Sequence, residues 1–249
     1  MSQTTHPDIS VIRSDSRGKT EIGWLLGRHS FSFGRYYDPA RMGFRTLRVI
    51  NDDWVKPSRG FGMHEHDNME ILTWVLEGAI SHKDSTGNAG VIRPGDAQLM
   101  SAGRGIMHSE MNPSNTEPVH LLQIWIEPMA RDLQPGYQQR AFPSEGRKNR
   151  WQTIAAPLDG VQRARAAQDN GGPLHIHQDA KVSVAELDAN APIDLVIAEK
   201  RHAYLHVAFG SVRAGDVTLS DGDAATLTGP ATLTITASKT SQLVLFDLA

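Results

Sequence analysis

Two short stretches carry side chains able to do chemistry together. They are His64-Glu65-His66 and His108-Ser109-Glu110, set among Gly60, Gly62, Gly103 and Gly105. In each, two metal-capable groups stand at i and i+2, the spacing that puts side chains on one face of a β-strand. Two such strands facing each other converge three imidazoles and one carboxylate on one point. Imidazole suits iron, nickel, copper, cobalt and zinc, and a carboxylate adds an anionic oxygen. Four protein ligands on an octahedral ion leave room for water, substrate or oxygen, whereas a tetrahedral structural zinc site is closed. Glu110 is also placed to act as a base toward a hydroxyl bound at the same ion.

Ligands spaced in this way need short strands to hold them, and the chain is built of such strands. A short strand is expected at Ile9–Ile12, a half-buried one at Ser30–Phe33 before a turn at Asp38-Pro39, and another at Leu47–Asn51. Ile71–Leu76 is a continuous apolar run, and Ala79–His82 resumes after Glu77-Gly78. Asp84–Asn88 reads as a solvated hairpin tip. Val91-Ile92, Gln98–Ser101 and His120–Ile126 complete the series. Residues 128–172 change character, punctuated by Pro135, Pro143, Pro157, Gly160 and Gly171-Gly172, and read as a connector with ordered turns. Strands then resume at Leu174–His177, Lys181–Leu187, Ile193–Ile197, His202–Ala208, Gly215–Leu219, Asp223–Leu227, Ala231–Ala237 and Gln242–Leu248. Short strands with frequent turn signals predict an all-β protein of two similar barrels. The expected layout is an N-terminal metal-binding domain over 1–130, a connector over 131–172 and a C-terminal domain without metal over 173–249.

Composition narrows the function further. The chain has 249 residues, a formal net charge of -3 with both signs interspersed, eleven histidines and no cysteine. Disulfides and thiolate chemistry are therefore excluded. The charge supplies no basic footprint for nucleic acid and no polybasic membrane patch. No apolar run approaches the length of a membrane span, so a cytoplasmic setting is the expectation.

The histidine pairs, Glu70, Pro94-Gly95-Asp96 and Asn112 are similar to the two cupin motifs. Arg48–Asp53, Gly60–His64, Met69–Thr73, His82–Ser85 and Met100–Glu110 more specifically resemble the pirin family of bicupins. The likeness covers 22–180 strongly and the remainder more weakly. It departs from the general cupin pattern in placing His108 five residues after Gly103, a spacing that pirins share. The resemblance implies two jelly-roll β-barrel domains in tandem and one divalent metal in the first, held by His64, His66, His108 and Glu110. Iron(II) is the expected ion, with nickel, copper, cobalt, manganese or zinc as alternatives. It also implies quercetin 2,3-dioxygenase activity, in which dioxygen opens a flavonol such as quercetin and carbon monoxide leaves. Glu110 would then take the proton of the flavonol 3-hydroxyl. The competing class is a metal-binding regulatory protein of the pirin type that acts through a protein partner without turnover.

In many cupins the acidic ligand is the glutamate of the first motif, here Glu70. Glu110 is preferred because it shares a face with His108, leaving Glu70 as a buried hydrogen-bonded carboxylate or a support to the ligands. His175 and His177 repeat the first spacing without a matching second pair, so they read with His202 and His206 as ordinary histidines. His82 is expected to brace the site or the barrel, and His120 the barrel. His29, Phe31, Phe33, Tyr36 and Tyr37 are candidates for the pocket mouth, with core packing the plainer role. Met100, Met107 and Met111 are expected to pack or to line an apolar pocket, and Arg104 to draw an anionic substrate or simply be exposed.

Overall fold

The computed structural model describes residues 9–157 and 172–249. Its first strands are β1 (Ser10–Ile12), β2 (Gly18–Ile22), β3 (Leu25–His29), β4 (Leu47–Val55), β5 (Gly60–His66), β6 (Glu70–Glu77) and β7 (Ile80–Asp84). There follow β8 (Ala89–Ile92), β9 (Asp96–Ser101), β10 (Ile106–Met111), β11 (Val119–Ile126), β12 (Gly136–Ala141), β13 (Gln152–Pro157) and β14 (Leu174–Ile176). The remainder are β15 (Ala180–Leu187), β16 (Pro192–Ile197), β17 (His202–Ala214), β18 (Val217–Ser220), β19 (Ala224–Thr228) and β20 (Ala231–Leu248). Two short 3-10 turns are the only helical elements among the described residues, and no helix there is long and apolar enough to cross a membrane. The all-β expectation holds.

The described residues divide into two compact units, one of 17–142, 154–157 and 172–179, the other of 9–16, 143–153 and 180–249. The first unit contains a seven-stranded sheet ordered β12-β9-β6-β11-β4-β3-β2 and a four-stranded sheet ordered β5-β10-β7-β8. Burial follows from sheet position. Central β6 is buried on both faces from Glu70 to Val75, which explains its unbroken apolar run. Strand β10 alternates instead, with Ile106, His108 and Glu110 inward and Met107 and Met111 outward. Leu25, Val55, Val75, Ile80, Ile92, Val119 and Leu121 form one apolar cluster in this unit. Ile71, Met100, Ala102 and Ile106 form another.

In the second unit the ladder runs β1-β19-β17-β20-β15, with β16 also on β20 and β18 on β17. Its core is aliphatic, built around Leu195, Leu205, Val207, Val212, Ile235 and Leu243.

Several local expectations are corrected. Ser30–Phe33 is not a strand, because β3 ends at His29. The Ser32 hydroxyl accepts from the Asp38 amide and donates to the Asp38 carbonyl, a local alternative to a ladder. Ala231–Ala237 and Gln242–Leu248 are one strand, β20. Register shifts opposite Val207, Phe209, Ser211 and Val212 bend the pair and absorb the polar segment between them. The stretch expected to connect two barrels supplies β12, paired with β9, and β13, paired in parallel with β14. Its Gly160 and Gly171 lie outside the described residues. The tip of the β7–β8 hairpin is not simply solvated. Asp84 is buried, and its carboxylate accepts hydrogen bonds from the amide and side chain of both Thr86 and Asn88.

Candidate metal centre

Strands β5 and β10 do not face each other across the barrel. They are hydrogen-bonded neighbours in one sheet, with His108 directly opposite His64. A bulge between His108 and Glu110 then sets Glu110 opposite Phe61. Gly60 is needed beside it, since a Cβ there would lie 2.1 Å from the Glu110 carbonyl oxygen.

This pairing gathers the imidazoles. Ring centroids of His64 and His108 are 4.4 Å apart, those of His64 and His66 4.7 Å, and those of His66 and His108 4.9 Å. One ring nitrogen from each of the three lies within 4.8 Å of the others. The Nδ1 of His64 donates to the Gly62 carbonyl at 2.7 Å, which leaves its Nε2 lone pair for a cation. Burial and then the neighbouring imidazoles hold His108 down to about 3. Burial and then His64 hold His66 down to about 4. Both rings are therefore neutral, the ligating form, near neutral pH. The Nε2 of His108 is buried without any hydrogen-bond partner, an expense that a bound cation removes. By donor type, protonation and this orphaned nitrogen, the cluster fits one divalent metal ion.

Glu110 enters by a different geometry from the expected quartet. It groups with His82 and His108 within 4.8 Å, not with all three metal-facing imidazoles. The Gln123 amide donates to its Oε2 at 2.7 Å, and the Thr73 hydroxyl lies 3.3 Å from its Oε1. Burial raises its pKa, against the hydrogen bond from Gln123 and the nearby His82 and His64. Behind the centre, His108 Nδ1 is 3.4 Å from His82 Nδ1, and His82 Nε2 is 3.4 Å from Asp84 Oδ2. With His108 Nε2 kept as a lone pair, the N–H donors run from His108 to His82 to Asp84. That chain fixes the tautomer and orientation of His108.

Glu70 lies in neither metal-capable cluster among the described residues. It is a buried carboxylate that accepts from the Ser101 hydroxyl at 2.9 Å and from the His177 ring at 3.2 Å. His120 bridges to Asp52 at 2.5 Å and stacks on Trp54 at 4.0 Å.

A cavity of about 380 Å³ opens onto His64 and His66. Phe33, Phe61 and Trp125 give it aromatic walls, and His29, Asn51, Asp53, Gln123 and Glu110 give it polar ones. Trp125 meets His66 edge-on at 4.8 Å and Phe33 at 5.3 Å. Of the expected mouth residues, His29 and Phe33 line the cavity, Phe31 is buried and Tyr37 is 73% exposed. Arg104 is exposed and is not among the lining residues; the arginine that lines the cavity is Arg35. Met100 packs in the core, while Met107 and Met111 face outward. A second depression, of about 500 Å³ between Trp24, Trp54 and Lys56, includes no histidine.

A pirin family model matches 11–126, and a model described as the quercetinase C-terminal cupin domain matches 165–248. A curated quercetin 2,3-dioxygenase of Escherichia coli is 40% identical over 96% of this chain and 98% of its own length. The chain belongs to the pirin family. A putative quercetin 2,3-dioxygenase of Mycobacterium tuberculosis is 41% identical over 96% of this chain and 95% of its own. A crystal structure of a bacterial pirin from Escherichia coli in complex with nickel(II) is 39% identical, with a TM-score of 0.86 over 97% of this chain and 99% of that one. The fold is thus the tandem cupin of pirins.

Sequence reasoning did not reach Thr73, Gln123, Asp53 or Trp125. One signal was available for Thr73 and Gln123, which are polar residues inside the apolar runs of β6 and β11. Asp53 and Trp125 became site residues only through strand register.

Proposed function

We propose that this pirin is a metal-dependent dioxygenase that opens a flavonol of the quercetin type with dioxygen and releases carbon monoxide. The observation that carries the reading is the three-imidazole cluster on an aromatic-walled cavity, with the buried Glu110 beside it. A cavity of about 380 Å³ lies within the range of small-molecule sites. The close relatives named quercetin 2,3-dioxygenase support the same substrate class.

In this reading His64, His66 and His108 hold the ion, and Glu110 completes the set within the same compact unit. Iron(II) is the ion we assign, and the nickel complex of the related pirin supports nickel as its first competitor. A bound divalent ion supplies a Lewis acid that favours the anion of a substrate hydroxyl and access to dioxygen. The protein supplies the rest. Glu110 accepts the proton of the flavonol 3-hydroxyl, within reach of a hydroxyl bound at the same ion. Gln123 and Thr73 orient that carboxylate, and each of its oxygens keeps a lone pair. Phe33, Phe61 and Trp125 flank the flat ring system and displace water from it.

The test is quercetin loss and carbon monoxide release by metal-loaded protein, under air and under nitrogen. Oxygen-dependent loss that disappears in Glu110→Ala and persists in Glu70→Ala is the expected result. Bound metal with no turnover would replace this reading with a metal-dependent interaction protein.

A further inference from the structure

The polar residues on the inner face of the seven-stranded sheet form a cross-strand row. Thr73, Gln123, Asn51 and His29 are consecutive register partners on β6, β11, β4 and β3. The first two are committed to Glu110. Farther along, His29 bonds Asn51 Oδ1 at 2.7 Å and Thr20 at 2.8 Å. Asp53 follows Asn51 by two residues on β4, so both face the cavity. Asp52 between them turns the other way, to Arg17 at 3.2 Å and to His120.

Asp53 is the anomaly of this wall. It is 3% exposed, and its Oδ1 is buried without a hydrogen-bond partner. The fold makes room for it, since a Cβ at its register partner Gly27 would lie 2.7 Å from that oxygen. Arg17, the cation whose charge reaches Asp53, is engaged by Asp52 and the Arg28 carbonyl. A second cavity-lining residue, Trp125, also holds a buried polar atom, Nε1, without a partner. Buried polar groups left unmatched cost stability, and in a binding cavity they mark what a ligand must offer.

We propose that Asp53, with Asn51 beside it, is a hydroxyl-recognising subsite that binds a phenolic hydroxyl of the substrate other than the one at the metal. The subsite deepens the flavonol reading and rests on it. Burial, then the charges of Asp52 and Glu110, push the Asp53 carboxyl up to about 8. Near neutral pH it is mostly a neutral acid, with an O–H donor and a carbonyl acceptor. A phenol satisfies both without burying a charge. Selection against ligands that lack the hydroxyl follows, because they leave the carboxyl unmatched.

The experiment measures binding to nickel-loaded protein under nitrogen by quenching of tryptophan fluorescence. The probes are quercetin and 3-hydroxyflavone, which keeps the 3-hydroxyl and lacks the others. Wild type is expected to favour quercetin by about tenfold, and Asp53→Leu to bring that ratio near one, with 3-hydroxyflavone affinity changing less than about twofold. Asp53→Asn retains most of the preference. Nickel content is unchanged in both variants. Asp53→Leu unfolds close to the wild-type temperature, because the buried Oδ1 of Asp53 has no hydrogen bond to lose. Equal loss of both flavonols, loss of metal, or a preference that survives Asp53→Leu overturns the subsite. A parallel series with 2,7-dihydroxynaphthalene and 2-naphthol separates the two claims. If wild type neither binds nor consumes flavonols, the flavonol reading fails. A preference for the diol that Asp53→Leu abolishes then still supports the subsite, and no preference for the diol overturns it.

Discussion

At the scale of single residues, the site works by leaving particular atoms unmatched and holding the others tightly. His108 Nε2 is an orphan, while its Nδ1 is braced through His82 to Asp84. His82→Phe keeps a buried aromatic and deletes the brace. It is expected to weaken nickel affinity by about tenfold to a hundredfold, read by competition with a chelator, with Tm measured alongside. Glu70 and Glu110 are separated by their partners. Glu70→Gln should retain metal and lose about 1–2 kcal/mol of stability through its weakened bonds to His177 and Ser101. Glu110→Ala should lose oxygen-dependent quercetin consumption by at least about a hundredfold. If Glu70→Gln abolished metal binding, the two carboxylates would have been assigned the wrong way round.

At the scale of elements, the β7–β8 hairpin and the β5–β10 pair are the supports. Burial alone would raise the Asp84 pKa, but the bonds from Asn88 and Thr86 outweigh it and bring the carboxylate to about 2. Because the folded value lies below the unfolded one, Asp84 stabilises the protein above about pH 4. That contribution, about 2 kcal/mol, is lost as the pH falls from about 4 toward 2. Urea unfolding of wild type and Asp84→Asn should therefore differ at pH 7 and converge near pH 2. At the other support, Gly60→Ala places a Cβ against the Glu110 carbonyl. The strands must part, costing about 3 kcal/mol by urea midpoint and displacing Glu110. A Gly60→Ala protein with unchanged midpoint and unchanged metal affinity would show that the bulge does not position the site.

At the scale of the whole molecule, the chain has two units, and both metal-capable clusters found among the described residues belong to one of them. A ligand that binds only the folded form stabilises what it binds, by about 2.7 kcal/mol at a hundredfold excess over Kd. Calorimetry with and without nickel should therefore raise the unfolding temperature of the unit holding His64, His66 and His108. Where the two units melt separately, the other transition should stay in place. Removing the ion with a chelator should restore the original trace.

Much of this protein was legible in the chain itself, for local reasons. The i, i+2 spacing of His64/His66 and of His108/Glu110 is a property of strand geometry; the same period turns Met107 and Met111 outward, against the expectation that they pack. The apolar runs of β6 and β11 were legible as strands, and their central place in the sheet came from the pairing. What only the tertiary structure decided depends on residues far apart in the chain. Strand register placed β10 beside β5 and opened a bulge that moved Glu110 toward His82. Neither the side-chain pattern of Ser30–Phe33 nor that of β20 revealed that Ser32 would close on Asp38 or that bulges would carry one strand past a polar gap. Glu70 and Glu110 are both strand carboxylates in the sequence. Their roles separate because one is met by Ser101 and His177, and the other by Gln123, Thr73 and the cavity. Asp53 is one aspartate of an ordinary-looking pair until folding turns Asp52 to Arg17 and leaves its neighbour facing the cavity unmatched.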